Sequence, residues 1–205
     1  IYGPGLGDNS IGVAGLIGLA EMLQERHLTP ARDLWFVANT REEGLGDLGG
    51  MKAVIERLRG RISCVINVEG MAFGHVYHAG IAVRRLHITA STEGGHSWLN
   101  FGRPSAIHGI VQLGAKLTAL QPPSTPRTTY NIGLIDGGTS INTIASNASL
   151  WLDLRSEDAG ALANLERQAR SHIEASITPE LRFSVEVVGD RPAGSIPHNH
   201  LLVQI

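Results

Sequence analysis

The sequence predicts an α/β fold, and two patterns in the order of its segments are the reason. In the first part of the chain, helical and strand patterns alternate over short distances, which is typical of a parallel sheet covered by helices. In the second part, polar and apolar residues alternate within the strands, as they do in an antiparallel sheet with one exposed face. The 205 residues are 42% hydrophobic and 18% charged, which is enough apolar mass for one or two globular domains.

The first part of the chain is predicted to contain two helices and two strands. The helices are expected at residues 10–27 and 48–60, and the strands at "DLWFVAN" (33–39) and "ISCVINVE" (62–69). Both strands are continuous apolar runs, which indicate burial on both faces of a parallel sheet. The first helix follows a glycine-rich loop, and Asp8, Asn9 or Ser10 can cap its first turn.

Near residue 80 the pattern changes, and the remaining segments predict a β-α-β-β-α-β unit. Strands are expected at "AVRRLHITAST" (82–92), 127–136, 145–155 and "RFSVEVVG" (182–189). Helices are expected at 105–120 and 158–177. This order is that of a two-layer, ferredoxin-like domain. We therefore expect a partial α/β domain over residues 1–80, a ferredoxin-like domain over residues 81–190, and a return segment, 191–205, that rejoins the first domain.

Charge and composition exclude several classes of partner. With 17 basic and 19 acidic residues, the chain has no basic patch, so nucleic acid is not an expected partner. No apolar stretch reaches the roughly 18 residues that a membrane span needs, so a membrane is not expected either. The single cysteine, Cys64, cannot form an internal disulfide, and we expect a cytoplasmic protein.

Acidic residues stand at the ends of both predicted parallel strands. Glu42 and Glu43 follow the first strand, Glu69 ends the second, and Asp8 lies in the loop before the first helix. The carboxyl ends of parallel strands meet at one edge of a sheet, where two like charges about 4 Å apart cost roughly 4 kcal/mol at an effective dielectric of 20. The residues alone leave two interpretations open: a site for a divalent metal, or an N-cap beside solvated strand ends.

Five motifs in register resemble one known family. They are "GDNSIGVAGLIGLAE", "TREEG", "VEG", "GGHSW" and "GGTSINTIA". Their order over nearly the whole chain resembles the zinc-dependent metallopeptidases that include peptidase T, carboxypeptidase G, aminoacylase and succinyl-diaminopimelate desuccinylase, and the last two motifs are most similar to the tripeptidase-like branch. The resemblance implies that residues 1–80 are part of a catalytic domain and that the ferredoxin-like domain is a lid through which the protein forms a homodimer.

The resemblance also implies a site for two divalent metal ions, zinc or alternatively cobalt or manganese. Asp8 matches the aspartate that bridges the two metals, Glu43 a ligand of one metal, Glu69 a ligand of the other, and Glu42 the general base. Glu42 would take the proton from a water molecule activated by both metals and pass it to the leaving amine. The expected function is hydrolysis of peptide bonds in short, di- or tripeptide-like substrates, or of the bond in an N-acyl amino acid.

The two motifs of the second part imply residues that act on the substrate. His96 in "GGHSW" resembles the lid histidine that stabilises the oxyanion, which in dimeric relatives reaches across the subunit boundary. Asn142 and Arg155 resemble residues that hold the substrate, and an arginine can bind a carboxylate with two hydrogen bonds. An ion pair of Arg155 with Asp153, Glu157 or Asp158 is the structural alternative.

Two features of the family have no counterpart in this chain. They are the His-x-Asp motif before the bridging aspartate and a histidine ligand far towards the C-terminus, and the histidines of the chain do not match either position. We therefore expect a fragment that lacks two histidine ligands, with an incomplete metal site and little activity of its own. The alternatives are a non-catalytic binding or dimerisation module with a relic site, and an amidase of the same fold that acts on a non-peptide substrate.

Overall fold

The computed structural model describes residues 3–70 and 73–204. The chain divides into two compact units at the junction between Tyr77 and His78. The first unit contains the helices α1 (Ile11–Glu25) and α2 (Gly49–Arg57), each within three residues of its predicted bounds. The side-chain oxygen of Asn9 accepts a hydrogen bond from the N–H of Gly12 at 3.0 Å, so Asn9 is the residue that caps α1.

The two predicted parallel strands differ from the structure. Residues 33–39 and 62–69 lie outside every sheet of the described residues. Ile66, which the pattern places in a buried strand, is 73% exposed. A parallel strand is stable only when neighbouring strands pair with it and helices cover both of its faces, and the described residues of the first unit provide neither for these two segments. The prediction of a parallel sheet at 33–39 and 62–69 is corrected accordingly.

The second unit contains the predicted antiparallel architecture. Its elements, in chain order, are β1 (Ala79–Gly80), β2 (Ala82–Ser91), β3 (Gly95–His96), α3 (Ala106–Leu117), β4 (Thr128–Gly137), β5 (Thr143–Ile144), β6 (Asn147–Ser156), α4 (Ala159–Glu174), β7 (Arg182–Arg191), β8 (Gly194–Ser195) and α5 (Leu201–Gln204). The four long strands form an antiparallel sheet in the order β4-β6-β2-β7. With α3 and α4 as the second layer, this is the ferredoxin-like fold that the sequence predicts, and the α/β fold class is confirmed.

The main hydrophobic core lies between this sheet and its two helices. On the central strands, every second side chain faces the helices, and the fully buried leucines and isoleucine are Leu86, Ile88, Leu150, Leu152 and Leu154. The side chain of Asp158 accepts a hydrogen bond from the N–H of Ala161 at 2.7 Å and so caps α4. The period of two along the strands and the capped helix together explain why the sequence pattern was sufficient to predict this domain.

Two short ribbons flank the four-stranded sheet. β1 pairs with β8, and β3 pairs with β5. The N–H of Ile196 also donates to the carbonyl of His78 at 2.9 Å, so the ends of the ferredoxin-like domain lie side by side. The predicted domain bounds at residues 80 and 190, and the return of 191–205 to the first domain, stay predictions. In the part of the chain that the structure describes, no helix is both long and apolar enough to cross a membrane.

Candidate active site

Three of the four predicted acidic residues lie together in the first unit. The carboxyl group of Glu43 shares hydrogen bonds with the side chains of Asp8 and Glu42. The pKa of Glu43 is raised above its ordinary value of 4.5, chiefly by repulsion from Glu42 and then by repulsion from Asp8. The folded chain thus brings like charges from two separate loops into contact, which is the arrangement that a bound cation would relieve.

The loop that carries both glutamates folds back on itself before α2. The N–H of Gly46 donates to the carbonyl of Glu43 at 2.7 Å, and the N–H of Gly49 donates to the carbonyl of Arg41 at 3.0 Å. The bond of Gly49 satisfies an N–H group that the first turn of α2 leaves without a helical partner, and the bond of Gly46 closes the turn before the helix. Glu42 and Glu43 are therefore presented by a hydrogen-bonded loop.

The segment before Glu69 is held against the loop of Asp8. The side-chain amide of Asn9 donates to the carbonyl of Val68 at 2.6 Å. The carbonyl of Gly7 packs so closely against Gly70 that a Cβ atom at Gly70 would overlap it, so only glycine fits there. All three segments that carry predicted metal ligands therefore converge in the first unit.

The carboxylate oxygens of the predicted ligands are suitable for a divalent cation. The described residues, however, supply only part of a coordination shell. Asp8 and Glu43 offer carboxylate oxygens in mutual contact, which suits a hard or borderline divalent ion. The carboxylate of Glu69 accepts a hydrogen bond from Asn67 at 3.1 Å. Among residues 3–70 and 73–204, no group of three or more His, Cys, Asp or Glu side chains is arranged to hold a metal ion. The assignment of Asp8, Glu43 and Glu69 as ligands stays a prediction.

Replacing Glu43 with glutamine should stabilise the metal-free chain at pH 7 and change little at pH 4. A raised pKa means that the folded state favours the protonated form of Glu43. The contribution of protonated Glu43 to the stability of the fold is therefore present below the unfolded pKa and is lost as the pH rises through the folded pKa. Glutamine cannot ionise and avoids that loss. Thermal melting followed by circular dichroism, in the presence of a chelator, measures the difference. Glu56→Gln, which removes an exposed carboxylate of α2, is the matched control. A lower melting temperature for Glu43→Gln at pH 7 would contradict the repulsion.

His96 and Asn142 lie next to each other in the second unit. In the β3–β5 ribbon, His96 stands opposite Thr143, and the N–H of Ser97 donates to the carbonyl of Asn142 at 2.9 Å. The side-chain oxygen of Asn142 accepts a hydrogen bond from the hydroxyl of Ser140 at 2.9 Å. The oxygen of the Asn142 amide is therefore engaged within the loop, and its NH₂ group is the part that can donate to a substrate.

The ring of His96 is fixed by backbone donors of its own turn. Its Nδ1 atom accepts hydrogen bonds from the N–H of Trp98 at 3.2 Å and from the N–H of Leu99 at 3.4 Å. A neutral imidazole has one acceptor nitrogen and one donor nitrogen, so these contacts assign the proton to Nε2. His96 is exposed and can offer that N–H as a hydrogen-bond donor.

Arg155 takes part in an ion pair on the exposed face of the sheet. Its Nε atom donates to the carboxylate of Asp153 at 2.6 Å, and the Nε atom of Arg85 donates to the other oxygen of that carboxylate at 2.9 Å. The structure thus contains the ion pair that the sequence offered as the alternative. A role for Arg155 in substrate binding stays a prediction.

Sequence reasoning missed Asn100, which contacts His96 directly. The side-chain oxygen of Asn100 accepts a hydrogen bond from the backbone N–H of His96 at 2.9 Å. No motif pointed to this residue, because an asparagine four positions after a histidine carries no signal until the turn between them is known.

Two protein families match consecutive parts of the chain. The family described as Peptidase dimerisation domain matches residues 82–178, which are almost the whole ferredoxin-like domain. The family described as Peptidase family M28 matches residues 1–85. No curated protein sequence matches the chain.

Solved structures share this fold. Aminopeptidase PepT from Bacillus cereus has 21% sequence identity and a TM-score of 0.67, over 96% of this chain and 52% of its own. A tripeptidase from Staphylococcus aureus has 19% identity and a TM-score of 0.52, over 62% of this chain and 34% of its own. A hydantoinase/carbamoylase family amidase from Burkholderia ambifaria has 22% identity and a TM-score of 0.53, over 58% of this chain and 30% of its own. The chain therefore spans about half of the first structure and about a third of the other two.

The family matches and the shared fold agree with the resemblance that the five motifs carry, which is confirmed. The similarity to PepT extends over both units, whereas the dimerisation-domain match is confined to the second. Residues 82–178 match the family described as Peptidase dimerisation domain, residues 1–85 match Peptidase family M28, and the chain shares the fold of aminopeptidase PepT.

Proposed function

We propose that this protein is a metal-dependent hydrolase of peptide bonds in short peptides, or of the bond in N-acyl amino acids, with Glu42 as its general base. The observation that carries the proposal is the contact of Glu43 with Asp8 and Glu42, which raises the pKa of Glu43 by repulsion. Clustered carboxylates repel one another in the absence of a cation, and a divalent ion bound among them would relieve that repulsion. The metallopeptidase fold of the chain supports the same function.

In this proposal some acidic residues bind metal and one transfers protons. Asp8, Glu43 and Glu69 would hold two divalent ions, zinc with cobalt or manganese as alternatives. Such ions, when bound, lower the pKa of a water molecule and polarise the carbonyl of the substrate. Glu42 accepts the proton of the attacking water and delivers it to the leaving nitrogen, so that one carboxylate serves as base and then as acid.

The ferredoxin-like domain would supply the donors that act on the substrate. The Nε2–H of His96 would donate to the oxyanion that develops on the substrate carbonyl, which is the position where a donor contributes most to the rate. The NH₂ group of Asn142 would hold the substrate, because its amide oxygen is already engaged by Ser140. Arg155 remains a candidate for the substrate carboxylate, in competition with its ion pair to Asp153.

Removal of metal should abolish hydrolysis by the full-length protein, and added zinc, cobalt or manganese should restore it. Without a cation, the repulsion among the carboxylates is uncompensated and no activated water is available. Release of free amino acids from a tripeptide and from an N-acetyl amino acid measures both steps. Asp8→Asn is the matched variant, which should not regain activity on metal addition. Full activity after verified metal removal would contradict metal dependence, and absence of hydrolysis by the metal-loaded protein would favour the non-catalytic module.

We further propose that the ferredoxin-like domain forms a homodimer through the β4 edge of its sheet. The match to a peptidase dimerisation domain supports association. Strand β4 is an edge strand that exposes Leu134 and Ile135, and the neighbouring helix α3 exposes Val111. The opposite edge strand, β7, carries charged residues such as Arg182 and Glu186, which protect an edge from pairing. The apolar β4 edge with α3 beside it is therefore the surface that fits a second copy.

Ile135→Lys should convert the dimer into a monomer. Ile135 is 59% exposed on the edge strand, and a lysine there places a charge where two edges would pair and bury apolar surface. Light scattering coupled to size-exclusion chromatography measures the mass. Val187→Lys, at a 42% exposed position of β7, is the control and should stay dimeric. Dissociation by Val187→Lys alone would assign the interface to the opposite edge.

A further inference from the structure

We infer that Asn100 is a positioning residue for His96, which fixes the turn that sets the tautomer of the histidine ring. The inference rests on the proposed function in one respect, because it assumes that His96 donates to the substrate through Nε2. Asn100 itself does not reach the ring nitrogens. It acts on the backbone of His96, and through that backbone on the ring.

The contact between the two residues is a closed pair of hydrogen bonds. The backbone N–H of His96 donates to the side-chain oxygen of Asn100 at 2.9 Å, and the backbone N–H of Asn100 donates to the carbonyl of His96 at 2.9 Å. Gly95 has a φ of 150° and lies so close that a Cβ atom on it would be 2.7 Å from the side-chain oxygen of Asn100. The absence of a Cβ atom at Gly95 thus leaves room for the side chain of Asn100.

The same turn presents the two donors that the ring accepts. The N–H groups of Trp98 and Leu99 lie between the two ends of the His96–Asn100 pair, and both donate to Nδ1 of His96. If the pair opens, the two N–H groups lose their fixed direction and Nδ1 loses its acceptor contacts. The proton of the neutral ring then distributes between Nδ1 and Nε2, and fewer molecules offer the Nε2–H donor.

Arg103 anchors the far end of the turn. Its backbone N–H donates to the carbonyl of Asn100 at 3.1 Å, while its Nη1 atom donates to the carboxylate of Glu93 at 2.9 Å and to the carbonyl of Gly94 at 3.3 Å. Both ends of the loop from Glu93 to Arg103 are therefore tied together. Within this frame, the Asn100 side chain supplies the bond that fixes the backbone N–H of His96.

Kinetics of the full-length protein give the first test. Asn100→Ala should lower kcat by about 10-fold to 100-fold with KM nearly unchanged, because a misplaced donor weakens binding of the transition state more than binding of the substrate. Asn100→Asp keeps an acceptor oxygen at the same place and should recover most of the loss. In a His96→Ala background, Asn100→Ala should cause no further loss, since its effect passes through the histidine.

Nitrogen-15 chemical shifts of the His96 ring give a test that does not depend on activity. The wild-type protein should show an unprotonated Nδ1 and a protonated Nε2, whereas Asn100→Ala should show averaging of the two tautomers and Asn100→Asp the wild-type pattern. Should Asn100→Ala not fold, Asn100→Gln, which displaces the oxygen by one methylene group, replaces it in both experiments.

The outcomes separate this inference from the function on which it rests. Unchanged ring shifts in the folded Asn100→Ala or Asn100→Gln protein would overturn the inference, and so would a loss of kcat that persists in the His96→Ala background. If His96→Ala leaves kcat unchanged, or if the protein hydrolyses no peptide, the proposed role of His96 fails. In that case the ring shifts still decide whether Asn100 positions the histidine.

Discussion

Glu42→Gln should lower the kcat of the full-length protein by about 10²–10⁴-fold and leave KM nearly unchanged. Glutamine has nearly the shape of glutamate but cannot accept a proton, so the attacking water keeps its proton and the leaving nitrogen receives none. A residue that acts in the transition state and contributes little to substrate binding affects kcat and kcat/KM alike. Steady-state hydrolysis of a tripeptide, measured by release of its amino acids, gives both constants.

Metal content distinguishes the general base from a metal ligand. Glu42 is the largest source of the repulsion that raises the pKa of Glu43, so Glu42→Gln lowers that pKa and should not weaken metal binding. Glu43→Gln, in contrast, should lose metal and activity together. Glu56→Gln, on the exposed face of α2, is the neutral control. Unchanged turnover in Glu42→Gln, or a loss that follows its metal content, would contradict the role of Glu42 as base.

The ferredoxin-like domain was predictable because its information is local. Alternation of polar and apolar residues predicted a strand over 82–92, and the structure forms it over Ala82–Ser91. The largest error at a helix end in this domain is three residues, at two helices: α3 was expected to reach residue 120 and ends at Leu117, and α4 was expected to reach residue 177 and ends at Glu174. Ile177 continues the apolar period of the helix, yet it is exposed after the helix has ended. Hydrophobic period alone does not detect such an end.

The first unit was less predictable, because an apolar segment becomes a parallel strand only when neighbouring strands pair with it. The apolar runs at 33–39 and 62–69 have the composition of buried parallel strands, and composition cannot say whether neighbouring strands and covering helices are at hand. In the described residues they form no sheet. The end of the second run nevertheless lies against the loop of Asp8, since Asn9 and Gly70 make specific short-range contacts that do not require a sheet ladder.

The candidate site was likewise predictable only in part. Resemblance of the motifs pointed to Asp8, Glu42 and Glu43, and the structure places the three in contact. The pairing of Arg155 with Asp153 and the bond from His96 to Asn100 depend on which side chains meet across a ribbon or a turn. Such contacts follow from three-dimensional packing, and residue type alone does not determine them.

Leu152→Ala should lower the free energy of unfolding of the chain by about 3–5 kcal/mol. Leu152 is 1% exposed in the core between the sheet and its helices, so truncation both removes buried methyl groups and leaves a cavity. Urea unfolding followed by circular dichroism measures the change. Leu99→Ala is the matched control, because Leu99 is 78% exposed and its truncation should change stability by less than about 0.5 kcal/mol. A change below about 1 kcal/mol for Leu152→Ala would contradict the burial of Leu152 in the core of the ferredoxin-like domain.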